Sequence, residues 1–195
     1  MKKRAFLATF LLIPQLLYSQ QNNYSELVKK YDMNYMEEIT HILLLERGDK
    51  GSLRVQFSRD LEAILDRERN AGNLEGVEEV LRELERASLD TYTWEAGGNI
   101  QEIRRLKIVY KQKSGEVEKQ KSLSVIGLIE RYDKAMEIVQ AELTKRGVYE
   151  EARHVRERRE KVVQSQVYAN STNFLAREIE AKPIERKQKE PEPGK

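Results

Sequence analysis

Between residues 20 and 182 apolar residues return every three or four positions, the spacing of helices that bury one stripe and leave the rest in water. Phe57, Leu61, Ile64 and Leu65 mark one such face, and Leu74, Val77, Val80, Leu81 and Leu84 mark a second. Gly72 and Asn73 stand between them. A glycine can close a helix in the left-handed conformation, and an asparagine can cap the helix that follows. Two helices joined by so short a turn must lie antiparallel.

The pattern returns 75 residues later. Gly147 aligns with Gly72, Glu150 with Glu75, Val155 with Val80 and Glu160 with Glu85. Upstream of the turn, Tyr132 matches Phe57, Met136 matches Leu61 and Val139 matches Ile64. The register reaches back without a gap to Tyr35 and Tyr110, and to Val28 and Ile103. A shared turn glycine between two shared apolar stripes points to an internal duplication. The expected fold is therefore all-α: antiparallel helical hairpins of coiled-coil type in two tandem repeats of about 75 residues, one over 20–96 and one over 97–179, with Gly97-Gly98 as the joint.

The four prolines, Pro14, Pro183, Pro191 and Pro193, leave this body untouched. Proline costs about 3 kcal/mol inside a helix, so the long proline-free stretch favours helix throughout. Gly48-Asp49-Lys50-Gly51-Ser52 suggests a break and restart in the first repeat. The polar run Lys111 to Lys121 suggests a weak, solvated part of one long helix, which at 1.5 Å per residue would reach about 70 Å. Helices are expected near 22–46, 53–71, 74–95, 99–146 and 148–168, with a short extra turn near Phe174 to Ile179.

The two ends differ from this body. Lys2, Lys3 and Arg4 precede a short apolar run from Ala5 to Leu17, and Ser19 is small enough for a cleavage site. Residues 1–19 thus have the form of a secretory signal peptide, with a run too short for the roughly 20 residues that span a bilayer. From Glu180 Pro, Lys and Glu dominate, so 180–195 is expected to be a disordered tail.

Composition narrows the functional classes. Apolar residues still make up 39 % of a chain in which 35 % are charged, enough for a core and against disorder of the body. Loss of the first cationic cluster takes 35 basic residues to 32, against 33 acidic ones. Near-neutral, interspersed charge argues against nucleic acid and against a polybasic membrane patch, and no second apolar run predicts stable membrane insertion. There are no cysteines, which removes disulfides, thiol catalysis and Cys-ligated zinc.

The second copy carries Tyr132, Met136, Leu143 and Thr144 before Gly147, then Glu150-Glu151-Ala152, Val155 and Glu160. The first offers Ala71-Gly72-Asn73-Leu74-Glu75, then Val80 and Glu83. Over 99–162, and more loosely over 24–87, the chain resembles uncharacterised helical-hairpin (coiled-coil) repeat proteins secreted by bacteria. That resemblance implies a fold and an exported address, with no biochemical activity attached.

Candidate chemistry is sparse. His41 and His154 each follow a glutamate by three residues, Glu38 and Glu151. Two Glu-x-x-His motifs plus two further glutamates build the di-metal site of ferritin-like bundles. Here the motifs fall on the first and last helices, the duplication aligns His41 with Glu116 and His154 with Glu79, and neither histidine centres its apolar stripe. The expectation is a solvated face, with no metal, cofactor or catalytic residue assigned. Tyr92 and Trp94 beside the glycine pair are expected to seal the joint between repeats, with a partner-binding anchor as the sharper alternative.

The function expected is therefore that of a non-enzymatic, exported, periplasmic or secreted structural or protein-interaction protein. It would bind a protein partner or pair as a homodimer through apolar helix faces, for instance the spacing Val148, Ala152, Val155, Arg159, Val162, Gln166. A holdase-like periplasmic chaperone is the alternative, and a di-metal carboxylate helical-bundle enzyme a more remote one.

Overall fold

A computed structural model describes residues 23–89, 92–95 and 97–181. The expected signal peptide and the expected tail beyond Ala181 lie outside the described residues. Among those residues there is no strand, and five helices follow one another: α1 (Asn23–Asn70), α2 (Leu74–Ala87), α3 (Gln101–Lys145), α4 (Tyr149–Val163) and α5 (Gln166–Glu180). None of these helices is long and apolar enough to cross a membrane.

Gly72 and Gly147 lie at reversals of chain direction, with φ of 66° and 76°. Their turns share one hydrogen-bond scheme. The amides of Ala71, Gly72 and Asn73 donate to the carbonyls of Arg67, Arg69 and Glu68. Those of Arg146, Gly147 and Val148 donate to Glu142, Thr144 and Leu143. Both consume carbonyls that a helix end leaves unpaired. Asn73 also caps α2, its side chain accepting from the Gly76 amide at 3.2 Å.

Three helix boundaries differ from expectation. The break at 48–52 is absent, and α1 runs unbroken for 48 residues. Two glycines there cost about 1 kcal/mol each against alanine but forbid nothing, and Lys50 pairs with both Glu46 of its own helix and Glu118 of α3. α2 stops at Ala87 instead of 95, because the chain beyond folds back to place Tyr92 and Trp94 on the core. The last expected helix divides at Gln164 and Ser165, and α5 is a full 15-residue helix where only a short turn was expected. No glycine or proline marks that division, so hydrophobic spacing alone passes over it.

The chain forms two compact units, each drawing on both halves of the sequence. Among the described residues the first comprises 23–43 and 127–165, and the second those between 44 and 126 together with 166–181. They do not coincide with the consecutive hairpins 20–96 and 97–179. α1 and α3 are each continuous and run antiparallel, so the start of α1 meets the end of α3 in the first unit, and the end of α1 meets the start of α3 in the second.

In the first unit Tyr24, Val28 and Tyr31 of α1 pack with Tyr132, Met136, Val139 and Leu143 of α3 and with Ala152 and Val155 of α4. Val148 and Val162 pack against the same cluster, and Arg159 is tied to Asp133. Of the spacing expected to serve self-association, Val148, Ala152, Val155 and Val162 are thus taken up by the unit's own core, while Gln166 lies on α5 and is exposed. In the second unit Phe57, Leu61, Ile64 and Leu65 of α1 meet Val80 and Ala87 of α2 and Ile103 and Tyr110 of α3. Phe57, Leu61 and Val80 are fully buried; each such side chain contributes about 1.5–3 kcal/mol. α5 belongs to the second unit and buries Ser171 completely.

Candidate functional site

Charged and hydroxyl side chains enter both cores at inner helix positions. In the second unit Lys107 lies four residues after Ile103 and three before Tyr110, on the inner face of α3, and is 1 % exposed. Its Nζ donates to the Gly97 carbonyl at 3.0 Å and sits 2.9 Å from Glu83 Oε2. Glu83 comes from the inner face of α2, between Val80 and Ala87. Its other oxygen accepts a short hydrogen bond from the Tyr92 hydroxyl, and Arg86 approaches at 3.4 Å. Burial, reinforced by that bond to Glu83, pushes the Tyr92 phenol well above its usual range.

Four rings close over this cluster. Trp94 meets Phe57 edge-on with centroids 5.0 Å apart and stacks on Tyr110 at 5.5 Å. Tyr92 contacts both Phe57 and Trp94. The Tyr110 hydroxyl donates to Asp60 at 2.7 Å. Its pKa is pushed up to about 12, by burial first and by Asp60 second. Tyr92 and Trp94, expected to seal a joint between repeats, pack on Phe57, and the Tyr92 hydroxyl and the Gly97 carbonyl are bound by Glu83 and Lys107.

The first unit has a counterpart. Tyr132 donates to Asp32 at 2.7 Å and contacts the Tyr35 ring at 4.9 Å. Arg158 of α4 pairs with the same Asp32. Tyr132 is pushed up to about 12, by burial first and then by Tyr35 and Asp133. Beside it Arg159 donates to both oxygens of Asp133, at 2.8 and 3.1 Å, and to the side-chain Oε1 of Gln140 at 2.9 Å. These bonds hold the Arg159 guanidinium above its ordinary value.

A third polar group belongs to the second unit and occupies a stretch expected to be solvated. Lys50 Nζ lies 2.7 Å from Glu118, Lys121 pairs with Glu118, and Lys121 stands 3.9 Å from Glu46. Burial alone would raise Glu118, but the bonds from Lys121 and Lys50 outweigh it and hold the carboxyl below its usual value. Lys50 is held high against burial by the same carboxylates.

The histidines are not drawn into any of these clusters. His41 is exposed, and Glu38 three residues before it pairs with Arg131 at 2.9 Å. His154 Nδ1 lies 3.7 Å from Glu157, on the outer side of α4. Among the described residues no three His, Asp or Glu side chains converge as metal ligands would. A cleft of about 400 Å³ at the start of α2 is lined by Asn73, Glu75, Gly76, Glu78, Glu79, Arg82, Asn99 and Ile100. Its central carboxylate already caps the start of α3, accepting from the amides of Asn99 at 2.6 Å and Ile100 at 3.0 Å.

These clusters join α2 to α3, α1 to α3 and α4, and α3 to α4. The sequence pattern drew Glu83 only into the hairpin resemblance and left Lys107 unmarked, although both interrupt an apolar stripe from within, which is the available signal for a buried ion pair. No protein-family model, curated protein or solved structure matches the chain.

Proposed function

We propose that this chain is an exported, non-enzymatic helical protein that acts through protein contacts, pairing with itself or with a protein partner through the apolar outer positions of its helices. One observation carries the reading. Helices whose inner faces are already packed keep large apolar residues outside: Met33, Met36, Leu44 and Val55 on α1, each more than half exposed, and Leu74 on α2 at 70 %. Single exposed apolar residues are ordinary, but their accumulation along one highly charged helix favours a covering surface. Export rests on the cationic and apolar pattern of residues 1–19. The likeness of the glycine-turn hairpins to those of secreted bacterial repeat proteins supports the same address.

We also infer that the helical body arose by duplication of a unit of about 75 residues. The identical turn bonding at Gly72 and Gly147 supports this. So does the ring contact of Tyr35 with Tyr132, whose equivalents 75 residues on and back, Tyr110 and Phe57, touch at 5.2 Å.

The test is photo-crosslinking in the producing cell from a reactive residue placed at Met36 or Leu44. The expected result is a covalent protein adduct at these sites and none from a control at exposed Glu157. Recovery of only the uncrosslinked chain from both sites contradicts the interaction reading.

A further inference from the structure

Under the duplication just proposed, one ion pair of the first unit has an equivalent in the second, and the polarity is reversed. In the first unit Asp32 of repeat one binds Arg158 of repeat two. The equivalent positions, 75 residues on and back, are Lys107 and Glu83, which bind each other in the second unit at 2.9 Å. Had the copies kept their residues, each repeat would carry one acid and one base at these positions. Instead repeat one is acidic at both, Asp32 and Glu83, and repeat two is basic at both, Lys107 and Arg158. A third contact follows the same rule: Glu46 and Lys121 are themselves equivalent, and they face each other at 3.9 Å.

We propose that these six charges form a pairing code that makes repeat one accept only repeat two as its helix partner. Pairing of repeat one with a second repeat one would bring Asp32 against Glu83 and Glu46 against Glu46. Pairing of repeat two with itself would bring Lys107 against Arg158 and Lys121 against Lys121. Like charges are most costly where the contact is buried: Lys107 and Glu83 are both enclosed, whereas Asp32 and Arg158 keep part of their surface in water and count for less. Apolar matching alone would not choose, because both repeats offer similar stripes. The partner that this internal surface fits is therefore the other half of the same chain.

The proposal rests on the duplication, and full-length variants separate the two. In one variant repeat one takes the bases of repeat two (Asp32→Lys, Glu83→Arg). In a second, repeat two takes the acids of repeat one (Lys107→Asp, Arg158→Glu). A third carries all four changes and so exchanges the polarity. A fourth is neutral (Asp32→Asn, Glu83→Gln). Urea unfolding followed by circular dichroism is expected to show the first two with midpoints below the neutral variant. The fourfold variant should regain most of the loss. Equal midpoints for the charged and neutral variants, or a fourfold variant as weak as the first two, would overturn the code. Failure of the duplication has another signature: an experimental structure in which the Gly72 and Gly147 turns do not superpose, whatever the charge variants do.

Discussion

Tyr110 and Tyr132 show what burial does to a single side chain. Both rings are almost wholly enclosed, and both hydroxyls donate to an aspartate. A phenol carries charge only after losing its proton, so burial raises its pKa, here to about 12 in each case, against about 10 in the unfolded chain. The folded state therefore holds these protons more tightly than the unfolded one. Their stabilising effect is complete below pH 10 and is lost as pH rises from about 10 towards 12, by up to about 2–3 kcal/mol per tyrosine. Urea unfolding at pH 8, 10 and 11.5 should show midpoints that are steady over the first step and fall over the second. A Tyr110→Phe, Tyr132→Phe chain should lose part of that fall. Glu118 works in the opposite sense: its depressed pKa contributes stability that is complete above the usual carboxylate range and is lost as pH falls from that range through the folded value.

At the scale of the helix, one residue type has two meanings. Gly72 sits at φ 66°, where a Cβ is strained, while Gly48 lies within α1 with open space around it. The same substitution should therefore change stability in opposite directions. Gly72→Ala is expected to cost about 1–2 kcal/mol, and Gly48→Ala to add about 0.5–1 kcal/mol. Thermal and urea midpoints check both, and a Gly48→Ala chain less stable than the parent would mean α1 is not continuous there. The turn glycines were legible because they ended two stripes that both needed burial. Gly48 and Gly51 resemble a break in sequence because propensity is local. The contact that overrides it, Lys50 with Glu118, joins residues 68 apart. Lys107 was hidden for a related reason: a lysine is usually solvent-facing, and only the carboxylate of Glu83 and the Gly97 carbonyl make its inner position tolerable. The end of α2 at Ala87 was hidden too, since the return of Tyr92 and Trp94 to Phe57 is a tertiary contact that leaves no periodic trace.

At the scale of the whole chain, helix class and hairpin turns follow from hydrophobic spacing, whereas the composition of the units does not. Spacing says that Phe57 and Tyr132 each face a core; it does not say which helix supplies the other wall. Consecutive hairpins and long antiparallel helices satisfy the same stripes. The choice falls to side-chain pairs far apart in sequence: Arg67 with Glu102 and Asp60 with Tyr110 in the second unit, Glu38 with Arg131 and Asp32 with Tyr132 in the first. Because the chain has no cysteine, these pairings can be read directly by introducing two. The most direct measurement is the intramolecular crosslink of a Glu38→Cys, Arg131→Cys chain with a short thiol-specific reagent, set against a Glu38→Cys, Glu62→Cys chain. Antiparallel packing of a continuous α1 on α3 predicts rapid, near-complete crosslinking of the first pair and none of the second. Crosslinking of 38 to 62 with 131 left free would mean that α1 folds back on itself near Gly48, and would contradict the architecture from which every other conclusion follows.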